Sequence, residues 1–84
     1  MFAVTVRYFA AARAAAGGTR QEVIEAATPA QAFELAAQTH GSELARIIGI
    51  SSYLLDGVSL AKEDSAQQLS APVTLDIMPP FAGG

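Results

Sequence analysis

Two strongly alternating stretches stand at opposite ends of this 84-residue chain, and they constrain its fold more than any other feature. From Phe2 to Phe9, Phe2, Val4, Val6 and Tyr8 share one face of a strand, and Ala3, Thr5, Arg7 and Phe9 share the other. From Val73 to Met78, Val73, Leu75 and Ile77 share a face in the same way. A strand with one apolar face has to bury it against another layer. A chain this short supports one modest core, so both apolar faces are assigned to it.

The segments between them are mostly well marked. Ala10 to Ala16 is a run of strong helix formers broken only by Arg13, and Gly17-Gly18 ends it. Gln21 to Ala26 is a weaker strand, because Val23 and Ile24 are adjacent and must face opposite ways. Thr28 reads as a helix cap, Pro29 suits the first helical position and Gln31 completes a capping box. Phe33, Ala36, Ala37 and His40 then fall on one stripe, with Leu35 nearby and Gly41 closing the helix. Ser42 is expected to cap a short helix with Leu44, Ile47 and Ile48 inward, closed by Gly49. Ser52 to Leu55, the turn Asp56-Gly57 and Val58 to Leu60 read as a tight hairpin. Lys62 to Gln68 is a polar loop with a helical turn, and Ser70-Ala71-Pro72 marks a turn before the last strand. This order predicts an α+β β-grasp: a mixed sheet on one main helix, its first and last strands parallel central neighbours. Residues 1–78 form the domain and 79–84 an extended tail.

Composition excludes several functions. The chain has no cysteine, so it holds no disulfide, thiolate zinc site or sulfur nucleophile of its own. Its net charge is −3, and Arg7, Arg13, Arg20, Arg46 and Lys62 are scattered, which argues against nucleic acid as a partner. No apolar run is long enough for a membrane span, and the N-terminus shows no secretion-signal pattern, so a cytoplasmic protein is expected. His40 is the sole histidine and reads as a packed residue; no catalytic triad, metal-ligand spacing or phosphate-cradling loop appears. Glu63-Asp64 reads as a solvated loop. No metal and no cofactor is expected on the chain itself.

The ending Met78-Pro79-Pro80-Phe81-Ala82-Gly83-Gly84 carries no charged side chain. Pro79 and Pro80 cannot donate backbone hydrogen bonds, so the strand stops before them. Six extended residues from Pro79 to Gly84 reach roughly 20 Å. Gly83 and Gly84 lack Cβ, so another backbone can close around them. An ordinary frayed terminus has the same composition. Strand parity also places Phe9 and Met78 on the faces not assigned to the core, beside the tail exit, where they form a candidate docking patch. The alternative is that the Ala10–Ala16 helix or the tail covers them.

The opening Val4-Thr5-Val6-Arg7-Tyr8-Phe9-Ala10, the segment Ala12 to Gly17, the hairpin Tyr53 to Gly57 and the ending Met78 to Gly84 resemble the MoaD family. The wording of the opening and the ending is similar to actinobacterial members. That family comprises the small, ubiquitin-like sulfur-carrier subunits of molybdopterin synthase. The resemblance implies that an E1-like (MoeB-like) adenylating enzyme with bound ATP activates the Gly84 carboxylate. A sulfur donor protein then converts it to a thiocarboxylate. It further implies that Pro79, Pro80, Phe81, Ala82 and Gly83 thread into the large, MoaE-like synthase subunit, where sulfur passes to a pyranopterin precursor of the molybdenum cofactor. Phe9 and Met78 match apolar interface positions of the family. Arg13 matches a recurrent arginine that either makes an interface salt bridge or only solvates its helix. The chain departs from the family at Leu69-Ser70-Ala71-Pro72, where many members carry an Asp-Gly-Asp-like turn. Other readings are a sulfur carrier for thiamine or cysteine synthesis, a protein modifier for which Lys62 is the sole lysine, or a β-grasp interaction module without sulfur chemistry.

Overall fold

A computed structural model describes residues 1–80. The elements run β1 (Phe2–Tyr8), α1 (Ala11–Ala15), β2 (Gln21–Ala26), α2 (Pro29–His40), α3 (Ser42–Ile50), β3 (Ser52–Leu55), β4 (Val58–Leu60), a 3₁₀ turn (Lys62–Asp64) and β5 (Val73–Met78). One five-stranded sheet has the order β2-β1-β5-β3-β4. β1 and β5 are parallel neighbours, as the sequence predicts, in a register that sets Val4 beside Val73 and Tyr8 beside Ile77. β2 flanks β1 antiparallel, and β3 joins β5 to β4 through two antiparallel pairings.

The alternation decides which side is sealed. Val4, Val6, Tyr8, Leu75 and Ile77 are at most 1% exposed, and they meet Ala32, Phe33 and Ala36 of α2 and Leu44, Ile47 and Ile48 of α3. Phe33 stacks on Tyr53 with ring centres 4.5 Å apart. The centre of the α2 stripe is Ala32, while Ala37, expected in the stripe, is half-buried. Phe2 and Val73, at the open ends of their strands, are also only half-buried.

The start of α2 follows its capping signals with one shift. Thr28 Oγ1 accepts from the Gln31 N–H at 3.0 Å, and Gln31 Oε1 accepts from the Ala27 N–H, one residue upstream of the usual capping-box donor. The second helix departs further from expectation. Ser42 is its first helical residue and caps nothing; Gly41 stands at the cap position. Gly49 does not close the helix, which continues to Ile50. Its last carbonyls find side-chain partners beyond the helix: Ser51 Oγ donates to Ile47 O, Tyr53 Oη to Ile48 O, and Lys62 Nζ to Gly49 O. A cation there also opposes the negative end of the helix dipole. Asp56 and Gly57 have φ of 48° and 82°, which two-residue hairpin turns of the predicted type require.

Candidate functional site

The parallel β1–β5 pair positions the candidate site, because both strands end at the same edge of the body. The last register pair is Tyr8–Ile77. One residue further, Phe9 and Met78 leave their strands side by side on the face opposite the core. Met78 is 36% exposed and Phe9 is half-buried. Pro79 and Pro80 follow immediately, Pro79 half-buried and Pro80 exposed. Phe81, Ala82, Gly83 and Gly84, where the sequence places the threading segment and the reactive carboxylate, lie outside the described residues.

Helix α1 packs against α3 and therefore lies on the core side of the sheet. It does not cover the outer face, contrary to one of the two alternatives drawn from the sequence; the other, cover by the tail, falls on residues outside those described. The turn into α1 is strained: Ala10 has φ 49° and ψ −122°, a conformation that favours glycine. This residue redirects the chain directly after Phe9, and Phe9 O accepts the Ala12 N–H at 2.9 Å.

Beneath the patch lies an ion pair that periodicity alone did not reveal. Arg7 donates from Nε at 2.6 Å and from Nη2 at 2.8 Å to the two carboxylate oxygens of Asp76. Asp76 is 4% exposed, yet it belongs to the outer face of β5. A buried carboxylate is unfavourable without such a partner. The pairing raises the Arg7 pKa further, first through the hydrogen bond and then through the charge of Asp76. The same guanidinium lies 5.6 Å from the Phe9 ring centre, within cation–π range. Parity placed Arg7 and Asp76 on one face, and a register of two parallel strands was the missing information.

Arg13 projects from α1 into a pocket of about 180 Å³ lined by Arg7, Tyr8, Phe9, Arg13, Arg20 and Gln21. Its Nε is buried with no hydrogen-bond partner among the described residues. Arg20 is brought there by its backbone, whose carbonyl accepts the Tyr8 N–H at 2.9 Å. Sequence reading singled out Arg13 and missed Arg20, which lies outside the regular part of β2.

His40 packs against Glu22 and Tyr8. Its Nε2 lies 2.6 Å from Glu22 Oε2, which also accepts from the Tyr8 hydroxyl. The three side chains tie the end of α2 to β1 and β2. Burial first, and then the bond to Glu22, push the Tyr8 pKa well above the ordinary tyrosine range. Among the described residues no helix is long and apolar enough to cross a membrane, and no group of three or more metal-ligating side chains occurs.

A mixed sheet with parallel β1 and β5, backed by α2, defines the β-grasp, or ubiquitin-like, class. Solved structures of that class superpose on the chain almost end to end. The small archaeal modifier protein 1 from Methanosarcina acetivorans matches with a TM-score of 0.83 at 22% identity, covering 100% of this chain and 98% of its own. A putative molybdopterin converting factor subunit 1 from Pyrococcus furiosus matches with a TM-score of 0.77 at 20% identity, covering 96% and 100%. A complex of subunits 1 and 2 of molybdopterin-converting factor from Helicobacter pylori contains a chain that matches with a TM-score of 0.70 at 17% identity, covering 98% and 99%. No family model and no curated protein matches the chain. At these identities the likeness establishes the fold.

Proposed function

We propose that this chain is a MoaD-type sulfur carrier, the small subunit of a molybdopterin synthase. One observation carries the reading. A body that matches molybdopterin converting factor subunit 1 over 96% of this chain ends β5 at a Pro-Pro-Phe-Ala-Gly-Gly sequence, beside an apolar pair, Phe9 and Met78, on a sheet face that no helix covers among the described residues. The chemistry fits the residues. A carboxylate is a poor electrophile, and adenylation by an ATP-using enzyme supplies the leaving group. A donor sulfur then displaces AMP to give a thiocarboxylate at Gly84, an anionic sulfur nucleophile. The chain needs no catalytic acid, base or cofactor of its own, because both partners supply them. Its contribution is reach, slimness and a docking face.

In this reading Phe9, Met78 and Arg13 meet the large subunit and the adenylating enzyme, and Pro79 to Gly83 enter the partner's active site. Support for the large-subunit partner comes from the Helicobacter pylori structure, in which a similar chain is complexed with subunit 2. Tail length is the direct test. Removing Gly84, or adding one residue after it, abolishes sulfur transfer while leaving the urea-denaturation midpoint unchanged. A lengthened chain that still donates sulfur at the normal rate overturns the proposal.

The similarity to a small archaeal modifier protein favours a second reading, a protein modifier joined to lysines through Gly84. Mass spectrometry of lysine-linked conjugates formed with ATP and an adenylating enzyme, with the sulfur donor omitted, separates the two.

A further inference from the structure

We infer that the outer edge of β2 is a self-association surface, on which a second copy of this chain adds its own β2 antiparallel across a twofold axis at Val23. The inference goes beyond the sulfur-carrier reading and uses other residues.

Among the described residues β2 is an edge of the sheet, paired only with β1. The Tyr8 N–H donates to Arg20 O at 2.9 Å, and that bond sets the phase of the ladder. Bonded pairs alternate along an antiparallel ladder, so Glu22, Ile24 and Ala26 exchange bonds with β1. Gln21, Val23 and Glu25 therefore turn their N–H and C=O groups outward. No loop or cap bond among the described residues uses those groups. The edge is closed at both ends. The Thr19 N–H donates to Ala16 O, the Ala27 N–H donates to Gln31 Oε1, and Ala27 O accepts from the Leu69 N–H. Lysine, proline or a bulge commonly guards such an edge. This one has neither residue type, and its register is unbroken. Glu22 is drawn inward to Tyr8 and His40. Val23 stands at the centre, 65% exposed. The opposite edge, β4, has only 3 residues, which is itself a protection.

The edge is complementary to its own reverse. With Val23 opposite the Val23 of a second copy, Gln21 faces Glu25 and Glu25 faces Gln21 on the outer face. Each Gln21 amide then donates to a carboxylate, and no like charges stand opposite each other. The three outward residues of each copy each offer one N–H and one C=O, which closes six backbone bonds. Neighbouring registers fit less well. Centring the pair on Glu22 sets two carboxylates opposite each other. Centring it on Ile24 calls on Ala27, whose backbone groups are already bonded. The contact is isologous, and its axis stands normal to the sheet. The two β5 strands then run antiparallel about 24 Å apart, five strand spacings, and the Pro79-Pro80 exits leave from opposite ends of the joined sheet.

Sedimentation equilibrium and amide hydrogen exchange of the full chain, at concentrations up to about 1 mM, test the inference. The weight-average mass is expected to rise with concentration toward twice that of the chain. Over the same range the amides of Gln21, Val23 and Glu25 gain more protection than those of Glu22 and Ile24, which are already bonded to β1. Gln21→Glu sets carboxylate against carboxylate twice and weakens association roughly fivefold. Adding Glu25→Gln restores the parent affinity, because the pairs are then exchanged rather than lost. Val23→Pro removes an outward N–H that β1 does not use, and it abolishes the dimer while the amide spectrum of the fold persists. Val23→Lys, at an exposed position, gives the same result by repulsion across the axis. A chain still monomeric at about 1 mM overturns the proposal. So does a dimer in which the three edge amides gain no extra protection, or one that Gln21→Glu leaves as tight as the parent. None of these measurements involves sulfur, so their failure and failure of the carrier reading are read independently.

Discussion

The two faces of the β1–β5 pair are built from the same strands and obey different rules. On the inner face, Val4, Val6, Tyr8, Leu75 and Ile77 are sealed by α2 and α3 and contribute through burial alone, apart from the Tyr8 hydroxyl. On the outer face, Arg7 and Asp76 hold each other, Thr5 and Thr74 pair beside them, and Phe9 and Met78 close the row at the tail exit. No helix lies over that row among the described residues. The difference teaches which substitutions test folding and which test recognition. Stability resides on one side of the sheet, and the proposed docking on the other.

The largest expected effect is on the inner face. Leu75→Ala should lower the free energy of unfolding by about 2–5 kcal/mol in urea denaturation, through lost burial and an unfilled cavity. On the outer face, the double variant Phe9→Asp/Met78→Asp should stay within about 1 kcal/mol of the parent in the same assay. It should nevertheless lose detectable binding to a large synthase subunit in calorimetry. Unfolding of that variant would break the comparison, since it would make the pair part of the core.

Smaller effects sharpen it. Tyr8→Phe keeps the buried ring and removes one hydrogen bond to Glu22, so a loss of about 1 kcal/mol is expected. The pH dependence follows from the same group. Its pKa is raised in the folded state, so its contribution is complete below the ordinary tyrosine value of 10.0 and is lost as pH rises beyond it. Stability should therefore fall above pH 10.0, and less steeply in Tyr8→Phe, as followed by chemical denaturation across that range. Burial raises Tyr53 in the same direction, so part of the slope should remain.

Ala10→Gly should raise stability by roughly 0.5–1 kcal/mol, because glycine adopts a positive φ without penalty. Weakened partner binding in that variant would show that the strained turn aims Phe9. The smallest effect belongs to the exposed pair Glu43–Arg46 on α3. The hydrogen bond from Arg46, and then its charge, lower the Glu43 pKa. Its contribution is thus present above the ordinary carboxylate range and lost as pH falls through the lowered value. Glu43→Gln should flatten the acid limb of the stability profile only slightly, since both groups are solvated.

Local signals carried much of this architecture. The alternation of Phe2–Phe9 and Val73–Met78 sufficed for the sealed face, and Thr28-Pro29 for the start of α2. Parity, together with the expected parallel pairing of the first and last strands, placed Phe9 beside Met78. Long-range partners were the part that no local pattern could show. Gly49 looked like a helix end because Ser51, Tyr53 and Lys62 cap the carbonyls of α3 from outside it. The partner of Asp76, Arg7, is 69 positions away, so no local pattern shows the ion pair. Arg20 lay between elements, and only the β1–β2 pairing carries it to Arg13.

The central claim is that this body delivers an activated acyl group at its own C-terminus. Intact mass spectrometry after incubation with ATP, an E1-like adenylating enzyme and a sulfur donor tests it most directly. The account predicts a gain equal to the mass of sulfur replacing one oxygen, located on the C-terminal peptide and absent when ATP is omitted. An unchanged mass, with the same enzymes active on an established carrier, would contradict it.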